Sequence, residues 1–566
     1  MSSVNRNPVE IGSAPRLAVV SKTAAGKPNS GKSAMGSGEL DEKGGRSRSL
    51  ATAVALHLEG KAEEALRELR RAVERGENKP AIFSAMGHIL YELQRYQEGV
   101  EAYSHLVELE PHHRSGYFKL AVCLEKLGRW DEAASNFRKA LQIAPGNSEA
   151  QLGLGICLLH LENSEQALEA FDQHLSQQPE QPEVLFGKAV ALQQAGRLDE
   201  AGDLYRKLLE RNPQSEESLA NMVALEIARK DYDAVRDYSE KLLSLRPHSQ
   251  AALAGLATSA FAAADYEAAA KFCAKLVDLV PDSFENWFNL GVAYQKTGNY
   301  QEATQAYARA TEIRPDSAQA QLNLGVTFQE TGALDRARTA YEKALHLDAN
   351  LPAVLWNLAL VLEQQGNFEQ AEKLYGQIPD KDPEWDDAQF RMGYLRLQRG
   401  DYKGSIEAFE SCLKKRKDWP EARLNAGIAY WKMDDAKSAR KAFEDVLTLR
   451  PESVDALRGL AALSLAQQDY NQAFSLHTRL LDLGERSAEL YYNAGLISQK
   501  RGEMQDAAKY YEQALSQQPQ FAEALLNLGH VRKSLGQEDE ARVCWRKAVE
   551  AKPELAETYF EPSASA

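Results

Sequence analysis

Residues 26–33, GKPNSGKS, satisfy the phosphate-loop pattern GxxxxGK[ST], with Gly26, Gly31, Lys32 and Ser33 at the required spacing. In a nucleotide site the loop amides and the N-terminus of the next helix face the phosphates. That needs a strand running straight into the first glycine and a helix opening at the Lys-Ser. Here SKTAA separates LAVV from Gly26, and AMGSGELDEKGG follows Ser33. Neither element is expected. Residues 1–45 read as a disordered Gly/Ser/Lys-rich tail, and an NTPase rests on this match alone.

Other reactive side chains are equally dispersed. The eleven histidines show no HExxH or comparable ligand spacing, and His112 and His113 adjoin Pro111 as turn residues. Cys123, Cys157, Cys273, Cys412 and Cys544 are odd in number and contain no CxxC pair, which fits reduced thiols. No nucleophile elbow or catalytic carboxylate pair appears, so the expectation is no enzyme, no cofactor and no metal. The net charge of -15 argues against nucleic acid as a partner. No apolar run approaches a membrane span, so no membrane insertion is expected and the chain reads as cytoplasmic. The KKRK run, Lys414 to Lys417, falls at a helix end, where cations complement the helix dipole; the alternative is a separate patch for an anionic partner.

What could position a binding surface is periodicity. Pro111, Pro145, Pro179, Pro213, Pro247, Pro281 and Pro315 are spaced by 34 residues, and Pro383, Pro451, Pro519 and Pro553 keep the phase. With that proline as position 32, fifteen repeats run from Arg46 to Leu555, and positions 8 and 20 are each small in fourteen of the fifteen. Small residues let two antiparallel helices approach closely. Glycine recurs at position 15, where a helix ends in the left-handed conformation. Each repeat is therefore read as a helical hairpin, between the tail and a short C-terminal capping stub (556–566) carrying Tyr559 and Phe560.

The repeat from 284 carries Trp287, Leu290, Gly291, Tyr294, Ala303, Tyr307, Ala310 and Pro315 in one phase. This pattern resembles the tetratricopeptide repeat (TPR) family. The resemblance implies an all-α solenoid, a right-handed superhelix of about fifteen helix-turn-helix units whose first helices line a concave groove. Two repeats depart from the pattern. Repeat 6 has Val223, Val235 and Ser239 at positions that are usually small or aromatic, so its helices should sit further apart; in repeat 10, Gly376 and Pro379 should end the second helix early. Both are places where the curvature should change.

In that frame positions 2, 5, 6, 9, 12 and 13 of each first helix face the groove. Position 6 is asparagine at Asn221, Asn289, Asn323, Asn357, Asn425, Asn493 and Asn527, an amide able to pair with the backbone of an extended peptide. Position 5 supplies Phe118, Phe186, Phe288, Trp356, Phe390 and Tyr492, which serve either as apolar pockets or as core packing. Position 2 is acidic at Glu149, Glu183, Glu217, Glu285, Asp387, Glu421, Asp455, Glu489 and Glu523, which caps the helix dipole or favours a basic partner.

The ladder resembles that of O-linked N-acetylglucosamine transferases, where asparagines grip a substrate peptide, but the glycosyltransferase domain is missing. The resemblance carries over best onto Asn289, Asn323 and Asn357. The cation triplet of the carboxylate-clamping cochaperone arrays is not found: Leu322 and Asp387 stand where cations are needed around Asn357 and Arg391. The expected function is a scaffold or adaptor holding protein or peptide partners. The alternative is a noncatalytic substrate-recruiting subunit of a separately encoded modifying enzyme.

Overall fold

The computed structural model describes residues 48–349 and 351–554. The GKPNSGKS match, the N-terminal tail and the C-terminal stub lie outside them. Thirty α-helices run between Arg48 and Ala551, two per 34-residue repeat, with no strand among the described residues. The chain divides at Pro315–Asp316 into two compact units.

Local chemistry explains the helix boundaries. Asn147, Ser215, Ser249, Ser283, Ser317, Ser453 and Ser487, all at position 34, cap the following first helix by accepting the backbone N–H of its third residue. Four first helices instead open with proline, at Pro80, Pro182, Pro352 and Pro420, whose missing N–H costs nothing there. Asp231, Asp265, Asp401, Asp435 and Asp469 cap second helices in the same way. Between the two helices position 15 is left-handed in every repeat. Nine repeats use glycine, with Gly298 at φ 78°, and six use Gln94, Glu162, Lys230, Ala264, Asp434 and Gln468.

The small residue at position 8 has a definite counterpart. In repeat 9 the Tyr341 ring, at position 24 of the second helix, lies so close to the first-helix backbone that a Cβ on Gly325 would sit 2.5 Å from its Cε1. The same ring-on-glycine contact joins Gly155 to Phe171, Gly291 to Tyr307, Gly427 to Phe443 and Gly495 to Tyr511. These rings are fully buried, and each contributes about 1.5–3 kcal/mol of burial free energy. Position 20 is buried throughout, from Ala65 to Ala541.

In repeat 10 the second helix stops at Tyr375, at eight residues against fourteen in its neighbour, with Gly376 closing it. In repeat 6 Val223, Val235 and Ser239 are fully buried, and the Ser239 hydroxyl has no hydrogen-bond partner. No helix among the described residues is long and apolar enough to cross a membrane.

In each unit the first helices also touch one another across repeats, for example in repeats 3 to 7 of the first unit and 11 to 13 of the second. Within those runs the first helices form a layer of their own.

Candidate peptide-binding face

Position 6 of each first helix lies over position 24 of the preceding repeat. Glycine at position 6 shows this directly: a Cβ on Gly153 would meet Phe137, one on Gly187 would meet Phe171, and one on Gly459 would meet Phe443. Where position 6 carries a polar group, it therefore points at whatever position 24 offers.

A tyrosine at position 24 creates a polar relay. Asn221 Nδ2 donates to the Tyr205 hydroxyl at 3.2 Å, and that hydroxyl donates to Gln193 Oε1, at position 12, at 3.1 Å. Asn221 is 1% exposed, and burial pushes the Tyr205 phenol up despite the amide. Tyr307 to Gln295, Tyr341 to Gln329 and Tyr511 to Gln499 repeat the second link, each at 2.8 Å. Repeat 10 holds a charged version: Tyr375 donates to Glu363 at 2.8 Å, and Arg391, at position 6 of repeat 11, donates to the same carboxylate at 3.0 Å. This relay had no part in the sequence reading, although every tyrosine at position 24 except Tyr103 has Gln or Glu twelve residues before it.

The seven asparagines consequently fall into groups. Asn221 and Asn323 are buried at 1%, and Asn323 Oδ1 accepts from Gln319 Nε2 at 3.1 Å. Asn527 donates to Tyr492 at 3.1 Å. Asn357 follows Tyr341, is partly exposed and makes no side-chain hydrogen bond among the described residues. Asn289, Asn425 and Asn493 follow Cys273, Phe409 and His477, which have no hydroxyl to offer. All three are partly exposed, and Asn289 Oδ1 is buried with no hydrogen-bond partner.

The position 5 aromatics pack inward on position 24. Phe288 is 2% exposed and lies edge-on to Tyr307, Trp356 sits against Tyr375, and Phe390 packs on Phe409 while stacking 4.7 Å from Trp419. Phe186 is buried against Tyr205, Phe118 meets Phe137, and Tyr492 meets Tyr511. Trp356 Nε1 is buried without a partner.

Position 2 divides by its cross-hairpin neighbour at position 31. Glu285 pairs with Arg314 at 2.6 Å, Asp387 with Arg416 at 3.8 Å, Glu421 with Arg450 at 2.7 Å and Glu523 with Lys552 at 2.9 Å. Lys552 holds the Glu523 carboxyl below its usual range, whereas burial raises that of Asp387. Glu149, Glu183, Glu217, Asp455 and Glu489 stay exposed; in four of those repeats position 31 is Gln178, Asn212, Gly484 or Gln518, and in repeat 6 Arg246 pairs with Glu216. The KKRK run is structural in part: Lys415 lies 4.0 Å over Trp385, and Arg416 lies 4.3 Å over Trp419. All five cysteines are free and buried, with Cys123 pushed up to about 12 by burial.

Family profiles described as tetratricopeptide repeat match residues 84–148, 124–185, 165–225, 226–291, 282–350, 328–392, 387–418, 424–488 and 498–557, and a shorter match covers 49–71. A search of the curated proteins found no match. Among solved structures, a crystal structure of MamA is 26% identical, covering 29% of this chain and 97% of that one, with a TM-score of 0.28. MamA 41-end from Desulfovibrio magneticus RS-1 is 20% identical over 30% of this chain and 96% of that one, at a TM-score of 0.29. The APC/C hetero-tetramer Cut9-Hcn1 is 14% identical over 80% of this chain and 96% of that one, at a TM-score of 0.32. With the 34-residue hairpins, the ring seated at position 8 and profile matches over most of its length, the chain belongs to the tetratricopeptide repeat family.

Proposed function

We propose that this TPR protein is a noncatalytic scaffold that holds extended segments of partner proteins against its first-helix layer, through the amides that its own repeats leave free. One observation supports this reading above the others. Position 6 is polar after every tyrosine at position 24, and it is glycine after Phe137, Phe171 and Phe443. Asn289, Asn425 and Asn493 break that rule. They carry an amide where the fold supplies no phenol: the buried Asn289 carbonyl has no partner, and the partly exposed amides of Asn425 and Asn493 are accessible to a segment from outside the chain.

Asn425 and Asn493 lie on one unit, two repeats apart. Stacked helices are spaced at about 10 Å, so these amides are separated by about 20 Å, the length of roughly six extended residues. Exposed Asp455 and Glu489 lie in the repeats at and just before the second amide and favour a segment carrying Lys or Arg.

The test is a pull-down from native lysate with the intact chain and an Asn425→Ala/Asn493→Ala variant of unchanged melting temperature. Partners held through the amides are lost from the variant, and capture of the remainder weakens with salt. Identical partners on both baits would refute amide recognition. A modifying enzyme among the lost partners would make the chain its substrate-recruiting subunit.

A further inference from the structure

At the first two repeats the relay is replaced by a different set of side chains. His57 occupies position 12 near the end of the first helix of repeat 1, and Leu69 stands where a position 24 tyrosine would engage it. Its Nδ1 is buried without a hydrogen-bond partner. On the neighbouring first helix of repeat 2, Pro80–Glu92, His88 and Glu92 are one turn apart and face the same point. Glu92 Oε2 lies 3.3 Å from His57 Nε2, and Oε1 lies 3.4 Å from His88 Nε2. The two imidazoles meet at 73° with centroids 5.9 Å apart, and the three donor groups lie within 4.8 Å of one another.

Each separation has the length of one ligand–ligand edge of a coordination sphere, the two edges running to the two different oxygens of Glu92. Around a tetrahedral ion with bonds of about 2.0–2.1 Å, ligand atoms lie about 3.3–3.4 Å apart. Two imidazoles with one carboxylate suit Zn²⁺ and the neighbouring first-row ions and disfavour Ca²⁺ or Mg²⁺, which take oxygen donors. The side chains of His88 and Glu92 are about half exposed, so the remaining position is open to solvent. His88 also lines an open hollow of about 420 Å³ with Glu110, His113 and Lys119.

We propose that His57, His88 and Glu92 bind a single Zn²⁺ ion that staples the first repeat to the second. The ion would sit on the face that position 12 of one first helix shares with positions 9 and 13 of the next, at the repeat whose first helix leaves Val54 and Leu58 exposed.

The experiment uses the full chain, stripped with chelator and dialysed, titrated with Zn²⁺ by calorimetry and with Co²⁺ by visible absorption. The expected result is one ion per chain at micromolar affinity or tighter, a melting temperature raised by Zn²⁺, and a tetrahedral Co²⁺ spectrum. His57→Ala and His88→Ala should each weaken binding by about tenfold or more, since even indirect supports of a metal site are worth that much. His112→Ala/His113→Ala should bind like the parent. Should His57→Ala unfold repeat 1, Glu92→Gln, which keeps the side-chain size, reads the same loss. No binding at about 100 μM Zn²⁺, far above the affinity of a protein zinc site, overturns the proposal, as does undiminished affinity in His88→Ala and Glu92→Gln.

Discussion

Two junctions in the same unit, between repeats 5 and 6 and between repeats 7 and 8, place an asparagine at the same point of the same fold. At the first, Asn221 closes a relay through Tyr205 to Gln193 and is sealed from solvent. At the second, Cys273 stands in place of the tyrosine and Phe261 in place of the glutamine, and the Asn289 carbonyl has no partner. One residue type at one repeat position thus serves two ends, as the cement between repeats or as an unclaimed hydrogen-bonding group on the first-helix layer. Which of the two it serves is decided sixteen residues earlier, at position 24.

The comparison first depends on the ring itself, common to most junctions. Gly325→Val would place branched carbon where the Tyr341 ring now lies, and an overpacked core has no low-energy response. The expected cost is about 3 kcal/mol or more, read as a lowered urea midpoint and accelerated hydrogen exchange in repeat 9. Ala359, which accommodates Tyr375 at the same two positions, should tolerate Gly with a loss of about 1 kcal/mol, the ordinary helix penalty.

The hydroxyl comes next. Tyr205→Phe keeps the ring and removes the middle of the relay, with the hydrogen bonds that Asn221 and Gln193 make to the hydroxyl, at a cost of about 1–3 kcal/mol. A thermal melt that did not move would mean that the relay is incidental to the junction.

Position 24 of repeat 13 is His477, whose Nδ1 donates to the Ala473 carbonyl 2.8 Å away, and burial lowers its basicity. The folded chain refuses a proton that the unfolded chain accepts. Its contribution is therefore complete above the ordinary histidine value of about 6.5 and is lost as pH falls from there toward the depressed folded value. The slope is at most about 1.4 kcal/mol per pH unit. His477→Phe, with the residue found at this position in repeat 12, should flatten the difference in melting temperature between about pH 7.5 and pH 5.5.

Much of this was legible in the sequence because each repeat reports on itself. Small residues at positions 8 and 20, proline at 32 and glycine at 15 recur in one frame, and the structure shows the ring seated at position 8, the left-handed turn at position 15 and the burial of position 20. The early stop at Gly376 was equally readable. The relay was harder to see, because positions 12 and 24 belong to one repeat and position 6 to the next. Its intra-repeat half was present as the pairing of Tyr205, Tyr307, Tyr341, Tyr375 and Tyr511 with an acceptor twelve residues earlier. His57, His88 and Glu92 formed no linear motif, since 31 residues separate the first two and only the contact between adjacent first helices unites them. The acidic series read as one rim resolved into pairs and free groups once position 31 was beside position 2.

The sharpest separation of the two junctions has the smallest effect on stability. Asn221→Ala removes the amide that donates to the buried Tyr205 hydroxyl, which keeps its bond to Gln193, and should cost about 1–2 kcal/mol. Asn289→Ala removes an acceptor that the fold leaves unpaired, so its change should stay within about 0.5 kcal/mol of zero. If both destabilise equally in chemical denaturation, Asn289 has a structural duty after all, and its amide is no longer free for a partner. If Asn289→Ala is neutral and also abolishes capture of partners by the first unit, its unpaired carbonyl is the group that an incoming peptide N–H satisfies. That outcome would mean that the array keeps this amide for a partner and that the fold itself does not depend on it.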